Sequence, residues 1–249
     1  MGDLDGKIAL ITGASSGIGA ATAVVFARHG ADVAVNFRRN QPAAAEIGEK
    51  IRGLGRRALF VQADVRHREA VREMVASVLA EWGSIDILVS NVGHPYYVKI
   101  EDLQPQDWYQ SLDENLTSQL YCIQAVLPHM VARKYGRVVA LSSISSQRGS
   151  PSGDIAYSAT KSAIVALVKT LARQYAGKGV AFNAVAPGII DTGTTEGMNG
   201  EQKIKNAAAI PLGRLGRGEE VGELIAFLAS DRASYITGQL IAVNGGLYL

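Results

Sequence analysis

The stretch KIALITGASSGIGAATAVVFARHGADVAVNF (7–37) decides the fold of this chain. Residues 7–12 are an apolar, β-branched run of strand length. GIGAATAVVFARHG (17–30) reads as a helix that stops at Gly30, and ADVAVNF (31–37) as a second strand. Two strands joined through a helix lie parallel, with a right-handed crossover. The linking segment, TGASSGIG (12–19), is a glycine loop at the point where strand becomes helix.

Outward from this unit the same alternation continues. Further strands are predicted over 57–65, 84–93, 137–143, 180–188 and 239–246, and helices over 42–55, 67–83, 104–136, 154–178 and 219–230. Pro128 should bend or divide the helix over 104–136. Residues 191–216 are poor in strand pattern and read as a substrate-loop insert carrying one short helix. No repeat or linker divides the chain, so residues 1–249 form one α/β domain. Its expected architecture is a doubly wound sheet of about seven parallel strands with helices on both faces. Ligands of such sheets bind beyond the carboxyl ends of the strands, which makes the residues just after each strand the ones to watch.

Bulk composition excludes several classes. The single Cys122 permits no internal disulfide, and MGDLDGKIALITG has no leader pattern, so a reducing, cytoplasmic setting is expected. A net charge of +2, with both signs interspersed, gives no basic block for nucleic acid. The apolar runs look too short to span a bilayer, so no membrane partner is expected. His29, His67, His94 and His129 show no metal-ligand spacing with Cys122, so no metal is expected.

Within the glycine loop, Gly13, Gly17 and Gly19 allow a tight turn and close backbone approach to a ligand. The helix that follows presents free N–H groups and the positive end of its dipole to a phosphate. The spacing is G-x-x-x-G-x-G, and the alternative is a plain glycine-rich turn. An NAD site wants an acid at the end of the second strand. Asp32 lies at the wrong, amino end of that strand, and its carboxyl end reads Asn36-Phe37-Arg38-Arg39. Guanidinium groups suit a 2′-phosphate, so NADP(H) is favoured over NAD(H), with Ser16 able to add a hydroxyl.

YSATK (157–161) places a phenol and an ammonium one turn apart on one helical face. A nearby cation lowers a phenol's pKa toward a range useful for acid–base work, whereas the plain alternative is a solvated pair. Ser142 and Ser143 follow the fifth strand, and alternation sends them to opposite faces, so one of them can polarise a substrate carbonyl.

These motifs together resemble the short-chain dehydrogenase/reductase family from end to end. TGASSGIG, ADV (63–65), SNVG (90–93), ENL (114–116), LSS (141–143), YSATK, PGIIDT (187–192) and VNGG (243–246) occur in that family's order. Ser90, Val92 and Asn244 depart from its usual residues, and Val92 could narrow the cofactor site. The resemblance implies a Rossmann fold, a nicotinamide cofactor and a catalytic set of Asn115, Ser143, Tyr157 and Lys161. In it Tyr157 is the acid/base, Lys161 also holds the nicotinamide ribose, Ser143 rather than Ser142 meets the carbonyl, and Asn115 holds a water in a relay to Lys161. A helix-interior asparagine bonding backbone is the alternative for Asn115. Cofactor contacts carry over to Gly13, Ser15, Ser16, Gly17, Ile18 and Gly19. They carry over likewise to Arg38 and Arg39, to Asp64 and Val65 at the adenine, to Asn91 and Gly93, and to Pro187, Gly188, Ile189 and Thr192 around the nicotinamide. His94, Tyr96, Tyr97, residues 147–152 and Met198 form the expected substrate side, with loop packing the alternative for the two tyrosines.

Within the family, the loop, Arg38 and RLGRGEEV (214–221) resemble the 3-oxoacyl-[acyl-carrier-protein] reductases. That implies a carbonyl, alcohol or acyl-thioester substrate, with Arg133, Lys134 and Arg148 as basic groups for an acidic carrier. Sugar, polyol and steroid dehydrogenases using NAD(H), and a non-catalytic dinucleotide sensor, are the competing readings. The helix over 157–172 is apolar nearly all round, which with the resemblance implies a homotetramer.

Overall fold

The computed structural model describes residues 2–151, 153–192 and 198–249. The strands are β1 (Ile8–Ile11), β2 (Asp32–Phe37), β3 (Ala58–Gln62), β4 (Ile87–Ser90), β5 (Gly136–Leu141), β6 (Val180–Pro187), β7 (Ile190–Asp191), β8 (Gly216–Arg217) and β9 (Leu240–Val243). Seven of them form one sheet in the order β3-β2-β1-β4-β5-β6-β9, and every pairing is parallel. The helices are α1 (Gly17–Arg28), α2 (Gln41–Gly53), α3 (Arg68–Trp82), α4 (Pro105–Leu112), α5 (Ser118–Arg133), α6 (Ser145–Arg148), α7 (Ile155–Tyr175), α8 (Gly200–Ala208) and α9 (Gly218–Ala229).

Both faces of the sheet are covered, which is why β1, β2 and β4 are buried at every residue. Ala9, Ile11, Val33 and Val35 pack toward α1, α2 and α9. Ile8, Leu10, Leu88 and Val138 pack toward α3, α5 and α7. Each buried Val, Leu or Ile among them contributes about 1.5–3 kcal/mol on burial. Strand order reverses between β1 and β4, and this opens a crevice at their carboxyl ends.

The expected doubly wound, seven-stranded parallel architecture is therefore present, with strands and helices a few residues shorter than the apolar runs. Three features differ from expectation. The stretch 104–136 is divided, but at a π-helical segment, Asp113–Thr117, and α5 runs unbroken through Pro128. Gln124 and Pro128 both lie on the exposed side of α5, so the carbonyl that a proline leaves without its donor faces water. The π segment is held by tertiary contacts of Asn115, which no local propensity announces. Second, β7 and β8 pair at the base of the insert. Two-residue strands carry no periodicity to read. The insert's short helix is α8, while residues 193–197 lie outside the described residues.

Third, Ile155–Lys178 is 24 residues long with hydropathy 1.2, so one helix does reach membrane-spanning length and apolarity. In this fold one stripe of it is buried, formed by Ala156, Thr160, Lys161, Ile164, Val168 and Ala172. Cys122 is buried and unpaired, with burial pushing its thiol up to about 12.

Candidate active site

The loop after β1 enters the crevice through two glycines in the left-handed region, Gly13 at φ +61 and Gly17 at φ +58. Gly13 N donates to Asn36 Oδ1 of β2 at 3.2 Å. Asn91, just past β4, clamps the loop from the other side. Its Nδ2 donates to Thr12 O at 3.0 Å and its backbone N to Thr12 Oγ1 at 2.9 Å. A Cβ on Gly19 would lie 2.5 Å from Gly13 O, so only glycine lets α1 start this close to the loop. Val92 packs onto Gly13, with its Cγ2 3.1 Å from where a Cβ would stand.

The N-cap of α1, Ser16, is extended and makes no side-chain capping bond, and the first turn holds no acid. The leading N–H groups of α1 are thus left to a ligand, and nothing there repels an anion. A dinucleotide pyrophosphate fits this loop. Ser15 and Ile18 flank it within the same turn, and Thr192 comes within 3.8 Å of a Cβ position on Gly17. Pro187 ends β6 and Gly188 and Ile189 follow it, where a Cβ on Gly188 would lie 2.8 Å from Asn244 Cα. Asn244 itself binds Gly246 N and Tyr248 O, which ties down the C-terminal turn.

At the adenine end, Arg38 and Arg39 leave β2 exposed. Asp32 is at the opposite edge, bound to Arg57 Nε at 2.7 Å and Arg56 at 3.1 Å, so it is absent from this crevice. Asp64 leaves β3 and is gripped by Arg66, whose guanidinium holds the carboxyl down at about 2. Val65 beside it is buried.

At the other end stand the residues of LSS and YSATK. The structure separates the two serines. Ser142 Oγ donates to Lys161 O at 2.8 Å, behind the site. Ser143 Oγ accepts from Ser145 N at 3.1 Å and stands on the side of the Tyr157 phenol, whose pKa it acts to lower. α7 starts at Asp154, whose Oδ1 accepts from Tyr157 N. Oδ2 of the same carboxylate accepts from Tyr96 N and Tyr97 N at 2.7 and 3.1 Å. One residue therefore positions both the Tyr157 helix and the loop after β4.

Lys161 is 2% exposed, its Nζ donating to Leu141 O at 2.8 Å and lying 5.5 Å from the Tyr157 ring centroid. The structure shows no such lowering of the phenol. Burial pushes Tyr157 up to about 12; Ser143 opposes this, while Tyr97 and Asp154 add to it. Burial also pushes Lys161 down to about 7. A lysine half-neutral near pH 7 is a weak electrostatic lever on its neighbour.

Asn115, fully buried, spends its amide on backbone. Nδ2 donates to His94 O and Ser111 O, each at 3.1 Å, and Oδ1 accepts from His94 N at 2.8 Å. The side chain thus makes the backbone bonds of the alternative reading. Asn115 still belongs to the cluster, because a Cβ on Gly93 would lie 2.6 Å from its Oδ1 and 2.7 Å from Lys161 Nζ.

On the substrate side, His94 packs edge-on to Tyr96 with ring centroids 5.3 Å apart, and Tyr97 is 58% exposed near Tyr157. Met198 Sδ accepts from Asn206 of α8. Gln147 and Arg148 lie on α6, and Ser152 lies outside the described residues. Arg133 and Lys134 are not at the mouth. Arg133 binds Asp86 at 2.7 Å, just ahead of β4, because α5 runs back toward the amino edge of the sheet.

Two residues that sequence reasoning passed over join the adenine end. Glu114 is 13% exposed and accepts from Arg66 NH1 at 3.1 Å and from Tyr96 Oη. A basic residue two after Asp64 and an acid immediately before Asn115 were the available signals.

Residues 13–248 match a family model described as enoyl-(acyl carrier protein) reductase. A 3-oxoacyl-[acyl-carrier-protein] reductase of Staphylococcus epidermidis is 40% identical over 243 residues, covering 98% of this chain and 99% of that protein. A protein of the same description from Synechocystis is 39% identical over 247 residues, covering 99% and 98%. The solved structure of a short-chain type dehydrogenase/reductase from Mycobacterium marinum aligns with a TM-score of 0.93 at 36% identity, covering 98% of this chain and 96% of that one.

Proposed function

This chain belongs to the short-chain dehydrogenase/reductase family and is an NAD(P)-dependent oxidoreductase, and on that premise we propose that it reduces 3-oxoacyl thioesters with NADPH. The observation that carries the substrate class is the 40% identity to a 3-oxoacyl-[acyl-carrier-protein] reductase across nearly the whole of both chains. Arg38, exposed at the end of β2 with no acid on that strand end, supports the 2′-phosphate.

In this reading the glycine loop and the open end of α1 hold the pyrophosphate. Asp64, Val65, Asn91 and Gly93 line the adenosine side, Arg38 and Arg39 the 2′-phosphate, and Pro187, Gly188, Ile189 and Thr192 the nicotinamide. The bound nicotinamide supplies hydride to the carbonyl carbon. Ser143 Oγ donates to the carbonyl oxygen and stabilises the charge that develops there. Tyr157 Oη gives that oxygen its proton. Burial holds the phenol protonated at neutral pH, which is the form reduction requires. Lys161 lies behind the phenol and binds ribose hydroxyls. Asn115 is a positioning residue: it fixes the His94 backbone and walls the Lys161 ammonium. Tyr97 and Arg148 border the substrate entrance.

A cytoplasmic homotetramer completes the reading. Only 33% of the apolar window of α7 is buried within one chain, so its outer face fits a second copy.

The test follows absorbance of the reduced nicotinamide. Purified protein is offered NADPH or NADH with 3-oxoacyl thioesters, diketones, quinones and sugars. NADPH oxidation by the thioesters, abolished in Tyr157→Phe while cofactor binding persists, is expected. Preference for another carbonyl class over thioesters overturns the substrate; preference for NADH overturns the cofactor.

A further inference from the structure

Beside Arg38, one of the two arginines of the 2′-phosphate reading, the structure shows an ion-pair cluster. Arg38 NH1 lies 3.8 Å from Glu114 Oε1, and Arg66 NH1 lies 3.1 Å from the same oxygen. Arg66 is also bound to Asp64 through Nε and NH2. The two guanidinium groups of this cluster, Arg38 and Arg66, are thus matched by two carboxylates, Glu114 and Asp64. Arg66 is fully committed, at the short end of ion-pair distances, whereas Arg38 is loosely held with 43% of its side chain exposed.

Glu114 is not a free surface carboxylate that could swing away. Its side chain is 13% exposed, and it comes from the π-helical segment, next to Asn115. Its second oxygen accepts from Tyr96 Oη, and that hydroxyl accepts in turn from Gln110 Nε2 at 2.8 Å. These contacts aim the carboxylate at the arginines from the far side of the crevice.

We infer that Glu114 is a cofactor-specificity residue: its carboxylate competes with the 2′-phosphate for Arg38 and narrows the preference for NADP(H) over NAD(H). The inference rests on Arg38 being the 2′-phosphate ligand. A 2′-phosphate carries close to two negative charges, so it must draw Arg38 from Glu114 and also stand near that carboxylate. A ribose 2′-hydroxyl carries no charge and meets neither cost. The partly buried position of Glu114 limits solvent screening of this repulsion.

The experiment measures Kd for NADPH and for NADH by titration calorimetry on the wild type, Glu114→Gln, Arg38→Ala and Tyr96→Phe. Glutamine is isosteric and keeps an acceptor for Tyr96 Oη, so the cluster loses charge without losing shape. Glu114→Gln is expected to tighten NADPH about tenfold and to move NADH by less than about twofold, as removal of one charge at partly screened distance requires. Tyr96→Phe removes the hydrogen bond but leaves the charge, and should leave the ratio of the two Kd values where it was. An unchanged ratio in Glu114→Gln, or an equal shift in Tyr96→Phe, overturns the inference. Arg38→Ala separates the premise from the inference. Unchanged NADPH binding in that variant overturns Arg38 as a 2′-phosphate ligand and the inference with it, whereas selective loss of NADPH binding with an inert Glu114→Gln overturns only the role of Glu114.

Discussion

Gly93→Ala is the substitution for which the structure states the consequence most directly. The added methyl would stand 2.6 Å from Asn115 Oδ1, 2.7 Å from Lys161 Nζ and 3.3 Å from Lys161 Cε. Carbon–heteroatom contacts settle at roughly 3.5 Å, so the shortfall is ~1 Å. Asn115 cannot yield that distance, because its amide is bonded to His94 and Ser111. Lys161 is the movable partner, held at Nζ by one hydrogen bond to Leu141 O. The ammonium should therefore shift by most of the shortfall, away from the position that serves Tyr157 and the ribose. A displacement of about 1 Å in a positioned group costs on the order of 100-fold in turnover. Overpacking should cost about 1–3 kcal/mol of stability. The assay is steady-state NADPH oxidation with a 3-oxoacyl thioester, paired with urea unfolding at the same temperature. A variant that retains kcat within about twofold would show that the tight approach of Gly93 to Lys161 has no catalytic consequence, and the reasoning fails.

The serines offer a paired contrast. Ser143→Ala should lower kcat by about 100-fold with little effect on unfolding, since it removes a donor to the carbonyl oxygen. Ser142→Ala should leave kcat nearly unchanged and cost about 1 kcal/mol through its lost bond to Lys161 O; an active Ser143→Ala with an inactive Ser142→Ala would reverse the assignment. The buried lysine gives a pH signature in the ligand-free protein. Its folded pKa of about 7 lies below the ordinary lysine value of 10.5, so between those limits the unfolded state binds more protons and stability rises with pH. Wild type should therefore gain stability relative to Lys161→Met as pH is raised from 6 to 9, by on the order of 1 kcal/mol or more. Parallel urea midpoints for the two proteins across that range would show that Lys161 is not depressed.

What the sequence determined is what local pattern and chain order can carry. Strand–helix alternation, with strands apolar throughout, admits only a parallel sheet covered on both sides, because each apolar face must be buried. The glycine loop and the Tyr157–Lys161 pair were legible because the one follows a strand and the other shares a helical face, whereas Asp64, Asn91 and the choice of Ser143 came from the family resemblance. The tertiary structure decided what depends on neighbours distant in the chain. It turned Ser142 to the back of α7 and Ser143 to the phenol, a choice that alternation alone left open. It placed the break of the long helix at Asp113–Thr117 and not at Pro128, because the Asn115 amide finds the His94 backbone there. It raised Tyr157 and lowered Lys161, because burial is a property of everything packed around a group and helical spacing reports only the pair. And it brought Glu114 to Arg38, residues from opposite walls of the crevice that no sequence spacing relates.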